Sequence, residues 1–335
     1  MNKPSATPLA AVSPDVQARR PATAIGLSRV GVVGVEKVIR VDASGQAGPE
    51  LFFAEFECYV DLSAKQAGVH MSRFEEIVNE AIDAVVLGEA FKAETLAGHI
   101  AERVRDRQGG SRAEVSVAAR YPETVPTPAT GSRTQEIYSL FGTAVASAVG
   151  VRTLTGVQAQ GMTACPCAQE LVAAGARDRL GEHGYDEGQI EEILGAVPVA
   201  THNQRGIGTL YVGAPEGSGV EIDARELLRI VESSMSSEIY ELLKRADERA
   251  VVEKAHANPR FVEDCVREMV RQIAAAHPEL AEGGFVLARQ ENLETIHRHN
   301  VIAERYGEVA GILRELESGE HAGPHLTMRE WLNAG

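Results

Sequence analysis

The feature that most constrains this chain is the order of its first 120 or so residues: two long β-branched runs, two helical stretches, then another alternating run. Residues 29–41 (RVGVVGVEKVIRV) and 51–62 (LFFAEFECYVDL) are apolar and β-branched, and Ser44-Gly45 and Gly48-Pro49 mark a turn between them. Met71 to Leu87 carries Phe74, Ile77, Val78, Ile82 and Val85 on one helical stripe, with Ser72 as its cap. A second helix over about 92–107 sets Leu96, Ile100 and Val104 four apart and stops at Gly109-Gly110. Residues 113–121 alternate as a strand. Residues 122–133, rich in Pro, Thr and Gly, read as a loop, and 134–160 return to strand chemistry, in the form of a hairpin.

The second half repeats this order less cleanly. A strand ends at Met162, an acidic helical insert lies between Ala168 and Leu194, and residues 206–213 (GIGTLYVG) form the next strand. Helices are expected at about 223–243 and 259–276, the second opening on Asn258-Pro259 as N-cap and first helical residue. A strand follows at about 284–290, and the Gly- and His-containing segment after 318 reads as peripheral. A chain of 335 residues exceeds the usual single domain, so two domains or one double unit are expected.

Charge and composition exclude several classes of function. Lys and Arg number 33 against 48 Asp and Glu, a net charge of −15, which argues against nucleic acid or an anionic membrane as partner. A polyanionic ligand would need positive charge gathered into one pocket. Residues 1–22 hold Pro4, Pro8, Pro14 and Pro21 and no apolar core, so they read as a flexible tail and not a signal peptide. The nearly apolar stretch from Leu140 to Val151 is too short to span a bilayer. Four cysteines, two of them isolated, make no disulfide framework, and the expected compartment is the cytoplasm.

Four polar strings carry chemistry. In G-M-T-A-C-P-C-A-Q, residues 161–169, Cys165 can present a soft ligand on a rigid turn, although two small core residues at a strand end fit as well. Cys58 and Cys265 read as ordinary core residues. In T-H-N-Q-R-G, residues 201–206, His202 suits a metal ligand or proton shuttle and Arg205 an anion clamp, with a solvated loop as the competing explanation. In E-N-L-E-T-I-H-R-H-N, residues 291–300, His297 and His299 share a face on a strand. Lys244 and Arg245 form a candidate anion site, and they and Glu248 also fit an ordinary solvated helix end. Glu263 sits where a helix dipole favours a carboxylate.

Together these strings resemble the type IB GTP cyclohydrolase family. Its signatures C-P-C, H-N-Q-R, L-L-K-R-x-D-E, N-P-R-F-V-E-D and E-S-I-H-x-H are similar, in the same order, to Cys165–Cys167, His202–Arg205, Leu242–Glu248, Asn258–Asp264 and Glu294–His299. The wording A-C-P-C-A-Q and the gap of 202 − 165 = 37 residues between Cys165 and His202 are closest to the archaeal branch. That branch makes the 2′,3′-cyclic phosphate of 7,8-dihydroneopterin where the bacterial branch makes the triphosphate.

The resemblance implies an α+β tunnelling fold with antiparallel sheets and helix pairs. Its two modules would cover residues 23–160 and 161–318, with 319–335 as a C-terminal tail and a homotetramer as the assembly. It implies GTP as substrate and one divalent metal per subunit, Fe(II) favoured, with Zn(II) or Mn(II) as substitutes. Cys165, His202, Glu248 and His297 match the metal site, with His299 the alternative imidazole and a catalytic acid–base group. Glu263 matches the guanine anchor, and Lys244, Arg245 and Arg205 suit the phosphates. The rivals are a metal-free enzyme of the same fold and a purine- or pterin-binding protein without hydrolysis.

Overall fold

The computed structural model describes residues 15–41, 50–85, 92–215, 217–321 and 323–334. Most of the expected tail, the turn between the first two strands and the end of the first helix lie outside the described residues.

The opening runs form β1 (Leu27–Val41) and β2 (Glu50–Leu62), followed by α1 (Met71–Val85), α2 (Ala93–Gln108), β3 (Ala113–Pro126) and β4 (Arg133–Ser147). From β5 (Gly150–Ala164) the order repeats, through β6 (Asn203–Ala214), α5 (Ala224–Ser233), α7 (Val262–Ala276), β8 (Phe285–Leu293) and β9 (Val301–Glu308). Between these lie α3 (Pro166–Glu182), α4 (Glu187–Ala196), β7 (Ser237–Glu238) and α6 (Arg245–Ala257), and the chain closes with α8 (Val309–Ser318) and α9 (Met328–Asn333). All strands join one antiparallel sheet in the order β1-β2-β3-β4-β5-β6-β8-β9, and β7 pairs with the end of β5. β5 runs across the module boundary expected at residue 160.

Alternation decides which face of the sheet is covered. Phe52, Phe56, Cys58 and Val60 on β2 meet Phe74, Ile77 and Val78 on α1 and Leu96, Ile100 and Val104 on α2, all buried in one core. At Gly142 a Cβ would come within 2.1 Å of the Ala93 carbonyl carbon, so only glycine lets α2 settle against β4. α5 and α7 cover the second half in the same way through Leu227, Val231, Met269 and Ile273. Cys265 lies in this core, and both isolated cysteines are buried as expected.

Several boundaries differ from the sequence reading. The loop expected at 122–133 is confined to 127–132: β3 continues through Pro122 and Pro126, because its pairing with β2 ends at Arg120 and proline's missing N–H is tolerated along an unpaired edge. The helix expected over 223–243 stops at Ser233. Ser234 Oγ turns back onto the Ile230 carbonyl (2.7 Å) and Ser236 Oγ accepts the Ala164 amide (3.0 Å), so the serine run leaves the helix for the sheet. Asn258 closes α6 and does not cap α7, whose N-cap is Phe261. The acidic insert is two helices, joined at Gly184. The segment after 318, read as peripheral, buries Trp331 to 1% exposure beside Phe285, Leu154 and Val145 on the sheet face opposite the paired helices. No helix among the described residues is long and apolar enough to cross a membrane.

One buried carboxyl gives the fold a pH dependence. Glu232 on α5 accepts the Tyr138 hydroxyl (2.7 Å); its burial and the charges of Glu238, Glu123 and Glu136 push it up from 4.5 to about 7. A raised folded pKa means that the native state holds the proton more tightly than the unfolded chain. The stability this contributes is complete below pH 4.5 and is lost as pH rises to about 7. Glu232→Gln is therefore expected to flatten that slope and to raise stability at pH 8 by about 1–3 kcal/mol, after allowance for partial solvent screening. Urea unfolding at pH 5, 7 and 8 measures both effects.

Candidate active site

Three strand ends place the functional residues side by side. β5 ends on Ala164 opposite Asn203, the first residue of β6, and Arg205 of β6 lies opposite Leu293 at the end of β8. Cys165, His202 and Glu294 are thus the residues just beyond three adjacent strands spaced about 4.8 Å apart. The Cys165 amide donates to the His202 carbonyl (3.1 Å), and Thr201 Oγ1 donates to the Cys165 carbonyl (2.7 Å).

Cys165 is also the N-cap of α3, with Pro166 at the first helical position and the Ala168 amide donating to Sγ at 3.5 Å. A sulfur at a helix N-terminus is favoured as thiolate. Cys165 is half-buried and Cys167 exposed, so neither is the small core residue that the strand-end reading allowed.

His202 and Glu294 are the buried pair. Their side chains are 15% and 7% exposed, Nδ1 and Oε2 stand 3.9 Å apart, and both atoms are shut off from solvent with no hydrogen-bond partner. An unmatched buried polar atom costs about 1–3 kcal/mol, and two facing each other fit a place for a cation, with the Cys165 backbone bonded to the His202 carbonyl next to them. The donor set of thiolate, imidazole and carboxylate suits Fe(II) or Zn(II). Glu294 was not singled out from the sequence as a ligand. The available signal was its place as the first residue of the Glu294–His299 string.

The segment 258–260 backs this corner. The Arg260 amide donates to the Ala164 carbonyl (3.0 Å), and Asn258 Nδ2 reaches the Met235 and Ser236 carbonyls. Gln169 ties α3 to the Val199 and His256 carbonyls, holding the strand that leads into His202. Asp247, the acidic residue of the Leu242–Glu248 string that the sequence reading passed over, is fully buried. It accepts the amides of Ala129, Thr130 and Lys244 and the Thr130 hydroxyl. Burial alone would raise its pKa, but these hydrogen bonds hold it well below the usual carboxylate range. Asp247 locks α6 onto the β3–β4 loop.

The remaining expected residues are exposed in the single chain. Arg205 lies on β6, and Lys244, Arg245 and Glu248 at the start of α6. Glu263 is in the first turn of α7, and His297 and His299 stack on each other at 5.2 Å between β8 and β9. Among the described residues, no three donor atoms of Cys165, His202, Glu248, Glu294 and His297 fall within 4.8 Å of one another. A cleft of about 450 Å³ lies elsewhere, lined by Glu55, Glu57, Glu114, Arg112, Arg329 and Tyr211.

The solved uricase from Arthrobacter globiformis superposes with a TM-score of 0.50 over 84% of this chain and 93% of its own, at 9% identity. The fold is the α+β tunnelling fold. The profile of the family described as type I GTP cyclohydrolase folE2 matches residues 13–303. GTP cyclohydrolase MptA of Methanothermobacter thermautotrophicus is 39% identical over 315 residues, 92% of this chain and 98% of its own length. The protein of that name from Methanococcus aeolicus is 38% identical over 309 residues, 90% and 99% of the two lengths. The chain belongs to the type I GTP cyclohydrolase folE2 family.

Proposed function

We propose that this chain is a metal-dependent GTP cyclohydrolase of the type IB kind, closest to the archaeal branch. It opens the guanine imidazole ring of GTP at C8 and releases formate, giving 7,8-dihydroneopterin triphosphate or its 2′,3′-cyclic phosphate at the head of a pterin or folate pathway. The carrying observation is the pair of unpartnered buried atoms, His202 Nδ1 and Glu294 Oε2, beside Cys165. The reading includes a cytoplasmic homotetramer of two-module subunits, the modules taken as residues 23–160 and 161–318 with β5 shared across their boundary.

Cys165 and His202 would hold the divalent ion, with His297 or His299 and Glu248 completing its surroundings. When bound, the ion supplies the Lewis acidity that hydrolysis at C8 needs. The chain's own groups set the stage. Cys165 caps the N-terminus of α3, where its sulfur accepts the Ala168 amide. Glu294 Oε2 faces His202 Nδ1 at 3.9 Å, beyond hydrogen-bond distance, so both atoms would be available to the ion. His299 and Cys167, both exposed, are placed to exchange protons with solvent during ring opening and closure. Exposed Lys244, Arg245 and Arg205 concentrate positive charge for the phosphates on an otherwise acidic protein. Groups completed by a neighbouring copy must be exposed in an isolated chain, and Glu248, Glu263 and His297 are.

The deciding experiment incubates Fe(II)-loaded protein with GTP anaerobically, assays formate and identifies the pterin by mass. Formate with a dihydroneopterin phosphate supports the reading. Nucleotide binding without formate supports the purine-binding alternative, and full turnover after chelation supports a metal-free enzyme.

Glu263 offers a sharper test of base recognition. A carboxylate accepting the guanine ring N–H and exocyclic amine discriminates strongly, because a base without them leaves it unpaired. Glu263→Gln is expected to raise KM for GTP by about tenfold or more with melting point and metal content unchanged, and the wild type is expected to reject ATP. Unchanged kinetics with a lowered melting point would return Glu263 to a helix-dipole role at the start of α7.

A further inference from the structure

We propose that Glu315, His321 and His325 form a second metal site, separate from the strand-end cluster, that takes one divalent transition ion of zinc's class and clamps the C-terminal segment onto α8. One donor atom from each residue falls within 4.8 Å of the other two. His321 Nδ1 stands 3.5 Å, and His325 Nε2 3.8 Å, from Glu315 Oε1, and the two rings meet edge to face at 4.9 Å. Donors around a tetrahedral zinc lie about 3.4 Å apart, so side-chain shifts of roughly 1 Å close the set.

The site has the marks of a missing cation. His325 Nε2 is buried with no hydrogen-bond partner, although a carboxylate oxygen is near. The second oxygen of Glu315 is taken by Arg305 Nη2 at 3.2 Å, which orients the carboxylate and turns Oε1 toward the imidazoles. An ion bound by both rings and Oε1 would give the unpartnered Nε2 a bond, and a water can occupy the fourth position. Two imidazoles and one carboxylate select zinc, cobalt or nickel over calcium or magnesium, which prefer oxygen throughout.

Position separates this site from the first. Arg305 pairs with Ala288 on β8, six residues before Glu294, so the two clusters stand about 20 Å apart along the strand. The clamp also has something to hold. Two residues after His325 comes Thr327, which caps α9, and α9 carries Trp331 into the core.

The test uses full-length protein stripped with chelator and titrated with Co(II) and Zn(II) alone. Cys165→Ser is expected to lose any thiolate-to-cobalt charge-transfer band yet to keep one equivalent of Co(II) with weaker d–d bands only. His321→Gln/His325→Gln is expected to lose that equivalent, and His321→Gln alone to weaken it at least about tenfold. In the Cys165→Ser protein, saturating Zn(II) should raise the melting point by on the order of 5 °C and slow proteolytic cleavage between residues 319 and 326. Neither effect should occur in the double histidine variant. Equal metal content and equal protection in the double variant and the wild type would overturn the proposal. A thiolate band absent from the wild type, with the His321/His325-dependent equivalent intact, would instead count against the strand-end metal and leave this site standing.

Discussion

Cys165→Ala is expected to lose bound metal and turnover together, with kcat/KM falling by about a thousandfold or more, while Cys167→Ala keeps its metal. The difference follows from where α3 begins. Cys165 precedes the helix, half-buried, beside the His202 backbone and facing the same corner as Glu294, whereas Cys167 lies one residue into the helix and points to solvent. Metal analysis alongside anaerobic GTP kinetics reads both variants, and metal that followed Cys167 would reverse the assignment. His202→Ala should behave like Cys165→Ala, because it removes the imidazole and leaves Glu294 as an uncompensated buried carboxylate.

The second large effect is expected at Trp331. Its indole packs 5.6 Å from the Phe285 ring, donates Nε1–H to the Gly283 carbonyl at 2.9 Å and fills the space above Gly213, where a Cβ would lie 2.6 Å from the ring. Arg152 grips the same turn by donating to the Trp331 carbonyl at 2.6 Å. Trp331→Ala should cost about 3–5 kcal/mol and release α9 to proteolysis. Calorimetry and limited digestion measure the two effects. An unchanged melting point would mean that α9 contributes nothing to the folded core.

What the sequence revealed, and what it hid, follows from how each element is stabilised. β1, β2, α1 and α2 were readable because burial writes a period of two or 3.6 into them, and Leu96, Ile100 and Val104 are indeed all buried. α6 escaped notice because its buried stripe is Asp247, Val251 and Ala255, one acid and two small residues. β9 was missed for a similar reason: most of VIAERYGE is only half covered at the edge of the sheet. α9 had a legible signature in the capping box of Thr327 and Glu330 ahead of Trp331 and Leu332, passed over because the segment is short. At the site, motif strings located Cys165 and His202. Glu294 opens the Glu294–His299 string, but its place facing His202 comes from the pairing of β6 with β8, a contact between distant parts of the chain that no local pattern encodes.

The strand order has a consequence for how the molecule comes into being. From β1 to β6 each strand pairs with its successor in the chain, directly for β1–β2, β3–β4 and β4–β5 and across helix-bearing connections for β2–β3 and β5–β6, so the pairs can close one after another as the polypeptide leaves the ribosome. The longest closure is β6 with β8, separated by everything from Ala214 to Phe285. That slow closure is also the one that carries Glu294 to His202. Nascent chains halted before it would expose the free edge of β6, an open template for aggregation, and would lack the corner proposed to bind the ion. Competence to hold metal at Cys165 should therefore arise in the last phase of refolding, after the first four strands are protected from hydrogen exchange.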